Sequence, residues 1–150
     1  ANEEDVQKCL GIEAAGVDVA SGKLELSSYR QLCEEVKKAF PALSVVAITM
    51  RESLTADKNG WSAILSGKTG FHASRRYLIE DIVDRVGGGD SFSAGLIFGL
   101  LEFPGDEAKA LEYAVAASAL KHSIPGDFNL SNRKEVEALL AGDGSGRVQR

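Results

Sequence analysis

Gly87-Gly88-Gly89-Asp90 constrains this chain more than any other stretch. Ile82-Val83 before it reads as the end of a buried strand, and Ser91 to Leu101 after it reads as an apolar helix. Glycines between a strand and a helix leave backbone N–H groups free to converge on one point, where the helix dipole favours negative charge. Asp90 stands where that helix begins. A carboxylate beside a phosphate-sized anion hole is what phosphoryl transfer needs to accept a proton from a substrate hydroxyl. A simpler reading makes Asp90 a helix cap and the glycines a tight turn. The dinucleotide fingerprint G-x-G-x-x-G fails at Phe92, and no G-x-x-x-x-G-K-[ST] occurs.

The 150 residues suffice for one domain with a real core. A net charge of −5 disfavours a nucleic-acid or anionic-membrane surface, so any phosphate binding must be local. Cys9 and Cys33 each fall in an amphipathic helical pattern and read as reduced thiols of a cytoplasmic protein, a disulfide being the poorer alternative. There is no signal peptide, lipidation motif or 18-residue apolar run. The chain starts at Ala1 with helix signals at once, as a piece of a longer protein would.

Asn2 is placed to cap a helix running to Leu10, with acids in its first turn and Gly11 closing it. Residues 11 to 26 read as an irregular connection. Ser27 or Ser28 caps a helix to about Ala39, with Tyr29, Leu32, Val36 and Phe40 on one face, and Pro41 stops it. The β-branched run Leu43 to Met50 predicts a parallel strand buried on both faces. Its carboxyl end, Thr49-Met50-Arg51-Glu52-Ser53, is where open α/β sheets bind ligands. Trp61–Leu65 and Phe71–Tyr77 flank Ser66-Gly67-Lys68-Thr69-Gly70 as a hairpin. Gly95 and Gly99 permit close packing of the helix after the glycine loop. Asp106 caps an alanine-rich helix over about 107–121, a loop follows through Phe128, and Ser131 or Asn132 caps a last helix over about 133–141. Gly142 begins a free tail. Alternating strands and helices imply a doubly wound α/β layer with a thin supply of strands.

Asp84, Gly87, Gly89, Asp90 and Phe92 match the signature Asp-x-x-Gly-Ala-Gly-Asp-x-Phe, and the chain resembles the ribokinase-like (PfkB) carbohydrate kinases. Gly88 replaces the alanine. Thr49–Ser53, Asn59-Gly60-Trp61-Ser62-Ala63 and Ala119-Leu120-Lys121-His122 to Gly126-Asp127 resemble the 2-keto-3-deoxygluconate kinase branch. The resemblance implies a three-layer αβα sandwich, of which residues 1–150 would be the carboxy-terminal, nucleotide-side portion of a larger doubly wound sheet. The sugar-binding half and lid would lie upstream. It implies ATP-dependent phosphorylation of a sugar acid, such as 2-keto-3-deoxygluconate to its 6-phosphate, with ATP and Mg2+, and an inactive chain when taken alone.

By the same resemblance Asp90 is the general base and touches the substrate hydroxyl, and Gly87, Gly88 and Gly89 form the anion hole. Thr49, Arg51, Glu52 and Ser53 line the ATP site, Ala117, Ser118 and His122 border the adenine, and Asp127 lies near the sugar acid. Asn2 and Asp5 match an Asn-x-x-Glu element that organises metal indirectly, with Asp5 in place of glutamate. Arg51 and Arg85 fall near the phosphates by position, an exposed salt bridge being the alternative for each. Partners would be the sugar acid and ATP, with no nucleic acid or membrane, and an uncovered sheet edge would permit self-association. Alternatives are another sugar or nucleoside kinase of the same superfamily, or a non-catalytic nucleotide-binding or assembly module.

Overall fold

In a computed structural model, residues 1–12 and 26–142 are described. Val46–Ser53 (β1) pairs antiparallel with Asn59–Ser66 (β2), in a register that sets Thr49 opposite Ala63 and Arg51 opposite Trp61. The parallel direction expected for this strand is therefore overturned. Leu54 to Lys58 is too short for the crossover that parallel neighbours need. Burial on both faces comes instead from helices packed on either side, whatever the strand direction. The one parallel contact among the described residues is a single bridge between Asn2 and Thr49.

The expected hairpin forms with two modifications. Phe71–Ala73 (β3) pairs with the end of β2, and Tyr77–Ile79 (β4) pairs with its beginning. Between them the Ser74 side chain accepts a bond from the Ala63 N–H at 3.0 Å, which bridges the interruption. The strand expected at Ile82-Val83 does not form. Asp81 takes a left-handed conformation with φ of 56°, which bends the chain out of the ladder, and Val83 is 58% exposed.

Side-chain alternation along β1 and β2 sends two sets of apolar groups to opposite faces. Val46, Ile48 and Ile64 meet Val6 of Glu3–Leu10 (α1) and Tyr29, Leu32, Cys33 and Val36 of Leu26–Ala39 (α2). Trp61, Ala63, Leu65, Tyr77 and Ile79 meet Glu107–Lys121 (α4), behind which lie Gly88–Glu102 (α3) and Arg133–Ala141 (α5). This is the expected three-layer αβα arrangement. Helix α4 is buried on nearly all sides, which its alanines allow. Helix α3 lies against it where Cβ atoms at Gly95 and Gly99 would approach the Cα atoms of Ala114 and Ala110 at 3.0 and 2.8 Å.

Helix α2 begins at Leu26, so Ser27 and Ser28 lie inside its first turn and neither is the cap. The connection expected over 11–26 falls mostly, and the tail after Gly142 wholly, outside the described residues. Cys33 is buried and Cys9 exposed, both as free thiols, and burial pushes the Cys33 thiol up to about 11. Among the described residues no helix is long and apolar enough to cross a membrane.

Candidate nucleotide and phosphate site

Helix α3 starts at Gly88, three residues before the boundary read from the sequence, so Asp90 sits within its first turn and does not cap it. Gly87 is the cap residue, with φ of 79°, and no side chain accepts from the first turn. The Gly88 N–H donates to the Arg85 carbonyl at 3.2 Å. The N–H groups of Gly89 and Asp90 have no acceptor among the described residues. They are two of the donors that every helix start leaves over.

The loop ahead of this helix is held from three sides. Asp84 accepts from the Val86 N–H at 3.0 Å and the Gly126 N–H at 2.9 Å, and these bonds lower its carboxyl below the usual range. The Val83 and Asp84 N–H groups both reach the His122 carbonyl. A Cβ on Gly87 would fall 1.9 Å from the Asp127 carbonyl, so the 124–127 turn occupies the space a side chain would need. From α4, the buried Ser118 hydroxyl donates to the Gly88 carbonyl at 2.8 Å.

His122 is buried against Gly88 and contacts the Trp61 ring, centroid to centroid, at 5.1 Å. Its Nδ1 lies 2.8 Å from the Ser118 carbonyl, an acceptor only, so Nδ1 carries the hydrogen and Nε2 keeps a lone pair. Burial lowers its pKa first, and the charges of Lys121, Arg85 and Arg51 add to that against the opposing Ser118 bond. The ring is neutral at physiological pH.

Asn2, Glu4, Thr49, Arg51, Trp61, Arg85, Gly88, Gly89 and His122 together line a cleft of about 230 Å³. Neither arginine has a carboxylate within ion-pair distance among the described residues, although Arg51 and Glu4 share the cleft and the charge of Arg51 helps lower the Glu4 carboxyl. Arg85 donates to the Ala56 carbonyl at 2.5 Å. Arg51 enters the cleft because it shares a strand face with Thr49 and with Trp61 across the ladder.

Gly87, Asp90, Glu52, Ser53, Ala117, Ser118, Asp127 and Asp5 lie outside this lining. Asp90 is exposed, next to Gly89. Glu52 pairs with Arg76 at 2.6 Å, and Ser53 is exposed at the end of β1. Ala117 packs toward Gly95 and accepts a bond from Asn129. Asp127 is exposed, with its backbone against Gly87. Asn2 and Asp5 form a reciprocal capping box on α1, so the Asp5 carboxylate is engaged by the Asn2 N–H. Glu4, also paired with Lys8, is the acidic side chain at the cleft. Sequence reading passed over Glu4 and Trp61. The antiparallel register would have found Trp61, and the short Leu54–Lys58 connection was its signal.

Residues 24–133 match the model of the pfkB family carbohydrate kinases. A search of curated proteins returns no match. The chain is similar to the crystal structure of 2-dehydro-3-deoxygluconokinase from Thermotoga maritima, with 44% identity and a TM-score of 0.84 over 95% of this chain and 41% of that one. A PfkB family carbohydrate kinase from Listeria grayi matches with 29% identity and a TM-score of 0.73, over 95% of this chain and 40% of that one. A third structure, from Enterococcus faecalis, matches at 21% identity with a TM-score of 0.77, over 100% of this chain and 42% of that one, and shows the fold alone.

These likenesses define a ribokinase-like α/β fold, of which this chain spans about two fifths of each relative's length. The chain belongs to the pfkB family of carbohydrate kinases.

Proposed function

We propose that this chain is the nucleotide-side part of an ATP-dependent sugar-acid kinase that phosphorylates 2-keto-3-deoxygluconate at its primary hydroxyl. The observation that carries this reading is the cleft itself. It gathers the Gly88–Gly89 start of α3 from the family signature, two arginines with no carboxylate within ion-pair distance among the described residues, and a buried histidine, with the free Asp90 N–H beside it. The 44% identity to a 2-dehydro-3-deoxygluconokinase supports the choice of substrate.

In this mechanism the phosphates of ATP lie against Gly88 and Gly89, and the guanidinium groups of Arg51 and Arg85 offset their charge. Thr49 offers a hydroxyl, and Trp61 and His122 form an aromatic wall beside Gly88. Charge on the transferred phosphoryl group is held by the N–H groups of Gly89 and Asp90. Asp90 accepts the proton as the sugar oxygen bonds to the γ-phosphorus and ADP leaves. Ala117 and Ser118 support this wall from α4, Glu52 and Ser53 extend its β1 side, and Asp127 faces the sugar end.

Among the described residues no group of three or more His, Cys, Asp or Glu side chains is placed to cage a metal ion. Magnesium would come with the nucleotide phosphates, and Asn2 and Glu4 of the cleft lining are the side chains that would help hold it. Asp5 acts through Asn2. When bound, the ion supplies charge neutralisation on the phosphates.

The sugar pocket and lid belong, on this proposal, to chain beyond these residues, and the 150-residue chain alone does not turn over. Self-association through the part of the β1 edge that Ala1 and Asn2 leave uncovered, and a cytoplasmic location, complete the reading. The test is a coupled assay of ADP release with 2-keto-3-deoxygluconate, run on this chain alone and on the complete kinase. Sugar-dependent turnover only in the complete kinase is expected. Turnover by this chain alone would overturn the division of labour, and no turnover with any sugar acid in either would overturn the substrate class.

A further inference from the structure

Lys121 is completely buried, and among the described residues its ammonium makes one hydrogen bond, to the Ile124 carbonyl at 2.9 Å. No carboxylate lies within ion-pair distance among the described residues. A buried amine with no carboxylate in ion-pair contact is costly to hold, and Asp84, whose carboxyl feels its charge, grips the same turn from the other side.

The reason for keeping it lies in what the Ile124 carbonyl belongs to. The turn from Ile124 to Asp127 is gripped at two points by opposite charges: Lys121 takes the carbonyl of residue 124, and Asp84 takes the N–H of residue 126. At the end of the turn, the Asp127 carbonyl fills the space beside Gly87. Gly87 in its left-handed conformation then sets the direction in which the first turn of α3 presents its N–H groups. Asp84 closes the loop from the other end through the Val86 N–H.

We propose that Lys121 is a positioning residue for the anion loop, acting through the 124–127 turn to fix Gly87 and so to aim the N–H groups of Gly89 and Asp90. The proposal rests on the reading that these groups bind nucleotide phosphate. Lys121 touches no ligand; its effect passes through backbone.

Lys121→Met keeps the length of the side chain and removes the ammonium, while Lys121→Gln keeps an N–H donor on a shorter stem. Two measurements on this chain separate the possibilities: calorimetric titration with ATP, and amide hydrogen exchange without ligand at Val86, Gly88 and Gly126, the bonded amides of the loop and turn. The expected result for Lys121→Met is a folded protein whose three amides exchange faster and whose ATP affinity falls about tenfold, the worth of one misdirected charge-assisted hydrogen bond. Lys121→Gln should recover part of both. Unchanged exchange at those amides in folded Lys121→Met overturns the proposal, whatever the affinity does. If neither variant folds, Lys121 is a core residue and the proposal is likewise overturned. Wild-type protein that binds no ATP, with exchange still altered in the variant, defeats the phosphate reading and leaves the positioning role standing.

Discussion

Helices α5 and α3 begin in opposite ways. The Asn132 side chain accepts from the N–H groups of Lys134 and Glu135, and Glu135 reaches back to the Asn132 N–H. Helix α1 starts the same way with Asn2 and Asp5. Helix α3 starts on a glycine, with no side-chain acceptor, and its open donors face a cleft bearing two arginines. A closed cap stabilises its helix in the absence of ligand. An open one leaves donors and a positive dipole end for an anion to complete, at a cost to the empty protein.

The sharpest break in that comparison is chemical. Asp90→Asn preserves shape beside the open donors and removes the proton acceptor. Turnover of the complete kinase at saturating ATP should fall about 10²–10⁴-fold, the scale of general acid–base catalysis. Wild-type turnover would take the base role away from Asp90.

The two outer glycines of the open start should then part company. Gly87→Ala places a methyl group on the Asp127 carbonyl and forces a positive φ on a side-chain-bearing residue. Denaturant unfolding should show a loss of about 2–4 kcal/mol, combining backbone strain with overpacking. Gly89→Ala meets nothing within 4 Å and sits at an ordinary helical φ, so stability should rise by about 0.5–1 kcal/mol. Its methyl group nevertheless enters the cleft, and ATP affinity should drop. A stabilised Gly89→Ala that binds ATP unchanged would show that the cleft is not the phosphate site.

Removing closed caps sharpens the contrast further. Asn132→Ala should cost about 1 kcal/mol of stability with no effect on nucleotide binding. Asn2→Ala should cost a similar amount and also weaken binding, because only Asn2 lines the cleft. Equal ATP affinity in the two variants would reduce Asn2 to a cap.

The smallest effect concerns a turn closed in the same manner as α5. Glu107 is buried and accepts from the Lys68 N–H, the Thr69 N–H and the Thr69 hydroxyl at 2.6–2.9 Å. Burial raises its pKa, and those bonds outweigh burial to leave it lowered overall. A carboxyl lowered on folding stabilises the protein above its unfolded value and loses that contribution as pH falls through the folded one. Stability should therefore be flat near neutrality and decline below about pH 4, and Glu107→Gln should flatten that decline at a cost of about 1 kcal/mol. An unchanged acid limb in Glu107→Gln would assign the decline to other carboxyls.

Local chemistry determined much of this protein in advance. Asn2 and Asp106 fixed two helix starts, and the pair Ser131 or Asn132 narrowed a third that the structure gives to Asn132, because a capping side chain acts within its own turn. Gly95 and Gly99 announced close packing because one helical turn separates them. The glycine signature located the site because backbone freedom and a neighbouring acid are encoded in consecutive residues. Strand direction, the loss of the strand at Ile82-Val83 and the earlier start of α3 were decided only by tertiary structure. Each depends on partners distant in sequence: β2 for β1, the His122 carbonyl for Val83 and Asp84, and Ser118 and His122 for Gly88. The cleft shows the same division. Its glycines were legible, whereas Trp61 and Glu4 entered it through strand register and the docking of α1, which no local pattern specifies.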